Sequence, residues 1–226
     1  MNLYPAWLRH LLRLFFKLLY HQFAWSYDWV AATVSLGSWK KWVTSVIPFL
    51  DAQKILELGH GPGHLQAELL RQGRFCVGID ASPQMSRLAS RNLTRQGLSP
   101  RLVTALGQQL PFPSGSFECL AATFPTEYIA DPATLAEIHR VLTDGGKAVI
   151  LLLAWITGKS PLHRALSWLY RFTGQTFEWD DRYLAPLRNA GFQPHSEVVS
   201  AENSTLLVIV LEKIPVQFPQ NSPKLL

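Results

Sequence analysis

Cysteine is scarce in this chain, and the two copies present exclude more than they offer. Cys76 and Cys119 each fall inside an apolar, strand-like run with no metal-ligand spacing, so neither a disulfide framework nor a zinc centre is expected. A reducing, cytoplasmic setting follows as the simplest expectation. Acidic residues are also outnumbered, 16 Asp and Glu against 21 Lys and Arg, but the net charge of +5 is not spread evenly. Residues 1–50 carry Arg9, Arg13, Lys17, Lys40 and Lys41 against Asp28 alone, which points to a local partner for the amino end and away from a nucleic-acid binder. Missing too is a clean membrane-spanning run. Leu3 to Trp29 is rich in Leu, Phe, Tyr and Trp, yet a spanning helix there would bury Arg9, Arg13 and Lys17 at considerable cost.

What that first segment does contain is a two-sided pattern. Arg9, Arg13, Lys17 and the Tyr20 hydroxyl recur at three- or four-residue spacing, and Leu8, Leu11, Leu12, Phe15, Leu18 and Leu19 cover the opposite side. Residues 3–23 read as an interfacial helix whose cations meet anionic head groups, or as a lid lying over its own domain; the two are not exclusive. At 226 residues and 48% hydrophobic content, the chain has material for one α/β domain with additions. The expected division is residues 1–50 as N-terminal amphipathic and lid helices, 51–214 as the main domain with a helical insertion at 155–179, and 215–226 as a loose, proline-bearing tail.

From residue 54 onward, short apolar runs alternate with amphipathic stretches, the signature of a parallel sheet covered by helices. Strands are expected at 54–58, 75–79, 101–106, 117–123 and 147–154, and helices at 62–72, 83–97 and 132–142. Ser82-Pro83 and Asp131-Pro132 are N-cap and first-turn pairs, while Gly73, Gly97 and Gly145 are read as helix stops. A Trp- and Leu-rich helix at 161–173 and another at 180–190 precede two last runs, 192–201 and 204–213, which pair most easily as an antiparallel hairpin. The fold class is therefore α/β, a Rossmann-like sheet of seven strands, mostly parallel with an antiparallel last strand.

The segment Glu57-Leu58-Gly59-His60-Gly61-Pro62-Gly63-His64 carries the chemistry. A buried strand enters a tight turn whose glycines permit positive φ and close backbone approach to a ligand, at the strand ends where open α/β sheets bind small molecules. Glu57 suits the ammonium of an amino-acid ligand and would repel a pyrophosphate. About twenty residues on, Asp80 closes the second strand with a carboxylate able to accept two ribose hydroxyls. His64 stands where a dinucleotide fingerprint needs Gly or Ala, which weighs against a nicotinamide cofactor. His60 and His64 are spaced i, i+4, but His60 precedes the helix and no third ligand is evident, so no metal is expected.

With Leu110-Pro111-Phe112-Pro113-Ser114-Gly115-Ser116-Phe117-Glu118 and Glu137-Ile138-His139-Arg140-Val141-Leu142-Thr143-Asp144-Gly145-Gly146-Lys147 added to that loop, the chain resembles the type 11 family of class I S-adenosylmethionine-dependent methyltransferases. The resemblance covers about residues 27–155. It implies S-adenosyl-L-methionine as cofactor and S-adenosyl-L-homocysteine as product. Glu57, Gly59, His60, Gly61 and Gly63 would hold the methionine part and sugar, Asp80 the ribose, Ala81 and Met85 the adenine face, and Gly107 and Gln108 the adenine edge. Many relatives use an aspartate at that edge where this chain has Leu106, which leaves the backbone amides of Gly107 and Gln108 or the Gln108 side chain to read the base. Phe124 and Pro125 would meet the sulfonium and the methyl acceptor, with Glu127 and Tyr128 as candidate catalytic residues or simple loop supports.

Tyr27 to Trp42 is similar to the entry motif of the ubiquinone/menaquinone-biosynthesis C-methyltransferases, with Tyr27, Asp28, Ser35 and Trp42 in register. Ala31 and Trp39 replace the Asn and His of that family, and an apolar residue near Leu152 replaces its acid. The acceptor implied is an apolar or membrane-associated small molecule, quinol-like or lipid, enclosed by Tyr27, Trp39, Pro125, Trp155 and Trp168. A peripheral position on the inner face of the membrane would suit it. A soluble acceptor, or a non-catalytic cofactor-binding protein, are the alternatives.

Overall fold

Alternation along the strands decides the architecture. In a computed structural model, which describes residues 38–157, 184–201 and 203–214, the strands β1 (Lys54–Leu58), β2 (Phe75–Asp80), β3 (Leu102–Thr104), β4 (Phe117–Thr123), β5 (Leu142–Ile156), β6 (Phe192–Ala201) and β7 (Ser204–Lys213) form one sheet. Leu56, Leu120, Ala148, Ile150 and Ile209 point into one apolar layer, and Ile55, Cys119, Ala121, Val149 and Val208 into the other. Both faces are therefore buried, as a parallel sheet requires. Cys76 and Cys119 lie inside the second layer, where burial pushes the Cys119 thiol up to about 12.

The seven-stranded order is β3-β2-β1-β4-β5-β7-β6. β1 pairs parallel with β2 and β4, β2 with β3, and β4 with β5, whereas β7 runs antiparallel to both β5 and β6. The expected hairpin is present, and β7 is the reversed strand.

Helices α1 (Trp39–Thr44) and α2 (His64–Arg71) lie on the side of the second layer through Trp42, Val43, Leu65 and Leu69. Helix α3 (Pro83–Arg95) buries Met85, Ala89 and Leu93, and starts with the Ser82 hydroxyl accepting from the Met85 amide. Helix α4 (Pro132–Val141) is capped by Asp131, and α5 (Ala185–Asn189) packs against β6. Gly73 and Gly97 end α2 and α3 at positive φ, as expected.

Gly145 plays a different part from the helix stop expected of it. α4 ends at Val141 and the chain passes directly into β5, whose register with β4 jumps between Phe117↔Leu142 and Cys119↔Lys147. Gly145 (φ 72°) and Gly146 form the bulge that absorbs the extra residues; a Cβ on Gly146 would meet the carbonyls of Thr143 and Glu118 at 2.8 and 2.9 Å. α2 begins at His64 and not at Pro62, because residues 60–63 are spent on a turn closed by Gly63 N–H to His60 C=O. β3 stops at Thr104, and the chain turns at Leu106 in place of the longer strand expected there.

No described helix is long and apolar enough to cross a membrane. The expected helices at 3–23 and 161–173, together with Tyr27, Trp168 and the tail 215–226, lie outside the described residues.

Candidate active site

The parallel pairing of β1, β2 and β4 brings three strand ends to one edge of the sheet. A cavity of about 500 Å³ opens there, of the size that holds a small-molecule ligand. The turn after β1, the end of β2, the segment Ala105–Gln108, the loop Thr123–Tyr128 and Trp39 enclose it.

The glycine turn is held from below. The amides of Gly59 and His60 both donate to the Ile79 carbonyl (2.7 and 3.0 Å), Gly61 N–H donates to Asp80 Oδ2 (3.0 Å), and Gly63 N–H to His60 C=O (2.9 Å). Pro62 has no N–H, so every backbone donor from 59 to 63 is consumed within the protein. Such a turn offers no nest of amides to a phosphate. Its flanking acids are Glu57 and Asp80, which favour a cation. Asp80 Oδ1 also accepts from Ser82 N–H (2.8 Å), and each oxygen keeps a further lone pair for a ligand hydroxyl.

Glu57 is 1% exposed and its Oε2 has no partner among the described residues. Burial, with Asp80 nearby, lifts its carboxyl to about 8 against the pull of the Gln66 amide. At neutral pH the group is mostly protonated, and an arriving cation would ionise it.

His60 packs its ring on Gly78, where a Cβ would lie 3.0 Å from the His60 Cβ. Its Nδ1 is 2.7 Å from the Gly61 carbonyl and must therefore donate, which leaves Nε2 to accept from the Ser86 hydroxyl at 3.4 Å; Ser86 in turn contacts Thr104 Oγ1 at 3.1 Å. Burial keeps the imidazole below its usual value despite Asp80, consistent with this neutral tautomer. Both ring nitrogens are thus engaged by the protein, and His60 braces the turn.

On the far wall, Leu106 is 58% exposed at the rim and Gly107 is buried behind it. The Gln108 side chain is already engaged: Nε2 donates to Asp131 Oδ2 at 3.0 Å, while Asp131 Oδ1 accepts from the Ala133 amide. Tyr128 spans the cavity floor, since Cβ atoms built on Gly59 and Gly107 would meet its hydroxyl at 2.8 Å and its ring at 3.5 Å. Glu127 opens a 3-10 turn, Glu127–Ala130, and is exposed at the rim.

The remaining wall is aromatic. Phe124 follows β4 with φ 49°, the one non-glycine residue at positive φ among the described residues, a conformation that costs a bulky side chain about 1–2 kcal/mol. Its amide donates to the Leu151 carbonyl at 2.8 Å, and its ring stacks on Trp39 at 4.7 Å with Trp42 tilted alongside at 6.2 Å.

The residues expected to form the site separate into two groups. Gly59, His60, Gly61, Asp80, Ala81, Gly107, Gln108, Phe124, Pro125, Glu127, Tyr128 and Trp39 line the cavity. Glu57, Gly63, Met85 and Trp155 do not reach its wall. Glu57 lies beneath the turn; Gly63 is pressed on Ala89 and Leu93; Met85 is buried at the foot of α3; Trp155 sits in β5 opposite Thr205. Asp131 and Trp42 belong to the site's support, although their sequence neighbours mark them only as a helix cap and a motif residue. Their second roles depend on distances across the fold.

A seven-stranded sheet with this order and a single reversed strand, carrying a carboxylate at the ends of β1 and β2, is the class I, Rossmann-like methyltransferase fold. The chain aligns over 85% of its length with 92% of a putative S-adenosyl-L-methionine-dependent methyltransferase from Methanococcus maripaludis (TM-score 0.61, 19% identity). It also aligns over 76% of its length with 78% of a geranyl diphosphate C-methyltransferase from Streptomyces coelicolor holding S-adenosyl-L-homocysteine (TM-score 0.57, 14% identity). Residues 56–150 match the family described as methyltransferase domain. Among curated proteins, a demethylmenaquinone methyltransferase of Thermus thermophilus is 31% identical over 139 residues, 59% of this chain and 63% of that protein. The chain thus spans about three-fifths of that relative's length.

Proposed function

We propose that this chain moves a methyl group from S-adenosyl-L-methionine to an apolar small molecule, quinol-like or lipid. The observation that carries the reading is the turn at 59–63, whose amide donors all point into the protein while its flanking acids are Asp80 and the buried Glu57, which an arriving cation would ionise. That environment suits a ligand with a positive amino-acid end and a ribose, and disfavours a pyrophosphate. The lone pairs left on Asp80 fit the two ribose hydroxyls, and the orphan Oε2 of Glu57, beneath the turn, fits an ammonium reached through water. When bound, the cofactor supplies a sulfonium-activated methyl. The chain's own task is then alignment: Gly59 and Tyr128 shape the floor, and Trp39, Phe124 and Pro125 form the wall an acceptor would meet. Glu127, solvated at the rim, is the available base where an acceptor must lose a proton.

An aromatic wall favours an apolar acceptor, and the similarity to a demethylmenaquinone methyltransferase points the same way. The basic, apolar pattern of residues 3–23 supports collection of that acceptor from an anionic, inner membrane face.

Isothermal calorimetry tests the core of this. The full chain is expected to bind S-adenosyl-L-methionine and S-adenosyl-L-homocysteine, with Asp80→Ala weakening both by at least about 30-fold, near 2 kcal/mol. Absence of heat from either compound would reject the cofactor. Incubation of the protein with lipid and metabolite extracts and isotopically labelled methyl donor, read by mass spectrometry, then identifies the acceptor; label confined to water-soluble products would reject the apolar one.

A further inference from the structure

Helix α3 has two unlike sides. Met85, Ala89 and Leu93 are buried, and Arg87, Arg91 and Arg95 stand exposed along the opposite side at four-residue spacing. None of these three arginines has a hydrogen bond, ion pair or ring contact within the described residues. By contrast, Arg71 pairs with Glu68 and reaches Gln96, Arg74 donates to the Leu50 carbonyl, and the Arg101 guanidinium lies 4.7 Å over the Phe75 ring. Like charges at this spacing repel along a helix, so the stripe works against the stability of α3. Neighbours in the sequence do not neutralise it, since Ala81 to Phe117 contains no Asp or Glu. A face of unpaired arginine fits an anionic partner. Two features beside it favour lipid over nucleic acid. Ala81 to Pro111 holds no aromatic residue on which a base could stack. The apolar side chain presented instead is aliphatic: Ser86 on α3 contacts Thr104 at 3.1 Å, and two residues further on Leu106 is 58% exposed at the cavity rim. Ala81 and Ser82, which lead into α3, line the same cavity.

Resting on the membrane reading of residues 3–23, we propose that the outer face of α3 is a second docking surface for an anionic phospholipid bilayer, with Arg87, Arg91 and Arg95 meeting the head-group phosphates and Leu106 the lipid beside the cavity. Three arginines by themselves give only marginal attachment, so the stripe acts together with the amino-terminal segment and does not replace it. A bilayer responds to the charge of these side chains and not to the shape of the guanidinium, whereas a single phosphate ligand held bidentately needs the planar fork.

Flotation of the full chain with phosphatidylcholine vesicles, made with and without phosphatidylglycerol, tests this. The wild-type chain is expected to float only with the anionic vesicles, and less as salt is raised. Joint substitution Arg87→Gln, Arg91→Gln and Arg95→Gln is expected to weaken that partitioning at least about 30-fold, and each single substitution about threefold or more. The matching triple change to lysine stays within about threefold of wild type. All three positions are exposed, so the variants should keep the wild-type melting temperature. Glutamine variants that float like wild type overturn this inference and leave residues 3–23 as the anchor. A wild-type chain that floats with neither vesicle overturns the membrane reading and this inference together. Lysine and glutamine variants weakened alike point to a discrete phosphate ligand and overturn the bilayer. Binding of a fluorescent RNA or DNA oligonucleotide that the glutamine variant loses, with its flotation unchanged, assigns the face to nucleic acid and overturns it as well.

Discussion

At the scale of single residues, the site holds two groups that are costly to the folded chain, Glu57 and Phe124. The Glu57 carboxyl, raised to about 8 chiefly by burial, binds its proton more tightly folded than unfolded. Its contribution to stability is therefore complete below the unfolded value of 4.5 and is lost as pH rises through the window up to about 8. Glu57→Gln removes that titration. The ligand-free variant is expected to melt roughly 5 °C or more above wild type at pH 8.5, with the gap closing toward pH 4.5, while binding S-adenosyl-L-methionine less tightly. Thermal melts across pH measure this, and a gap independent of pH would show that Glu57 is not the titrating group. Phe124 is tested by backbone preference. Because glycine adopts positive φ freely, Phe124→Gly is expected to be more stable than Phe124→Ala by about 1 kcal/mol in urea unfolding, the reverse of the usual order. Both lose the ring stacked on Trp39 and should raise KM for an apolar acceptor.

Between elements, the motifs at 110–118 and 137–147 turn out to be one mechanical unit. Arg140 on α4 donates from Nη1 to the Phe112 carbonyl (2.7 Å) and from Nη2 to the Leu110 carbonyl (3.0 Å), and makes a bidentate pair with Glu137 (2.6 and 2.7 Å). Glu137 in turn accepts from the Leu110 amide at 2.7 Å. This latch anchors the chain immediately after Gly107 and Gln108, so it acts on the cavity wall without touching a ligand. Arg140→Lys keeps the charge but cannot reproduce the planar fork. It is expected to cost about 2 kcal/mol in chemical unfolding and to weaken S-adenosyl-L-homocysteine binding severalfold. A lysine variant as stable as wild type would show that the charge, not the fork, holds the segment.

For the whole molecule, the buried sheet opens its cavity at the ends of β1, β2 and β4, and Trp39 on α1 completes the cavity's wall. Removal of residues 1–23 is expected to abolish flotation with anionic vesicles and to leave S-adenosyl-L-homocysteine binding within about twofold; unchanged flotation would reject the membrane role. Much of the frame is legible in the amino-acid sequence alone. The apolar alternation marks all seven strands, Ser82-Pro83 and Asp131-Pro132 mark helix starts, and the glycine turn and Asp80 mark the strand ends where the cavity opens, because each of these is written in neighbouring residues. What neighbours do not encode are relations between distant parts. Gly145 has the local pattern of a helix stop, and only the pairing of β4 with β5 makes it a bulge. Gln108 in sequence is equally a base-reading side chain or a bystander to its own backbone, and only the approach of Asp131, 23 residues away, assigns the amide's direction. Nothing beside Phe124 in the chain announces its strained φ, which persists because Leu151 and Trp39 hold it from two other elements. Local propensity and pattern are enough to choose strands, helices and a turn, but hydrogen-bond polarity, backbone strain and the protonation of a buried acid are set by what surrounds a group in space, and that is decided only when the chain has folded.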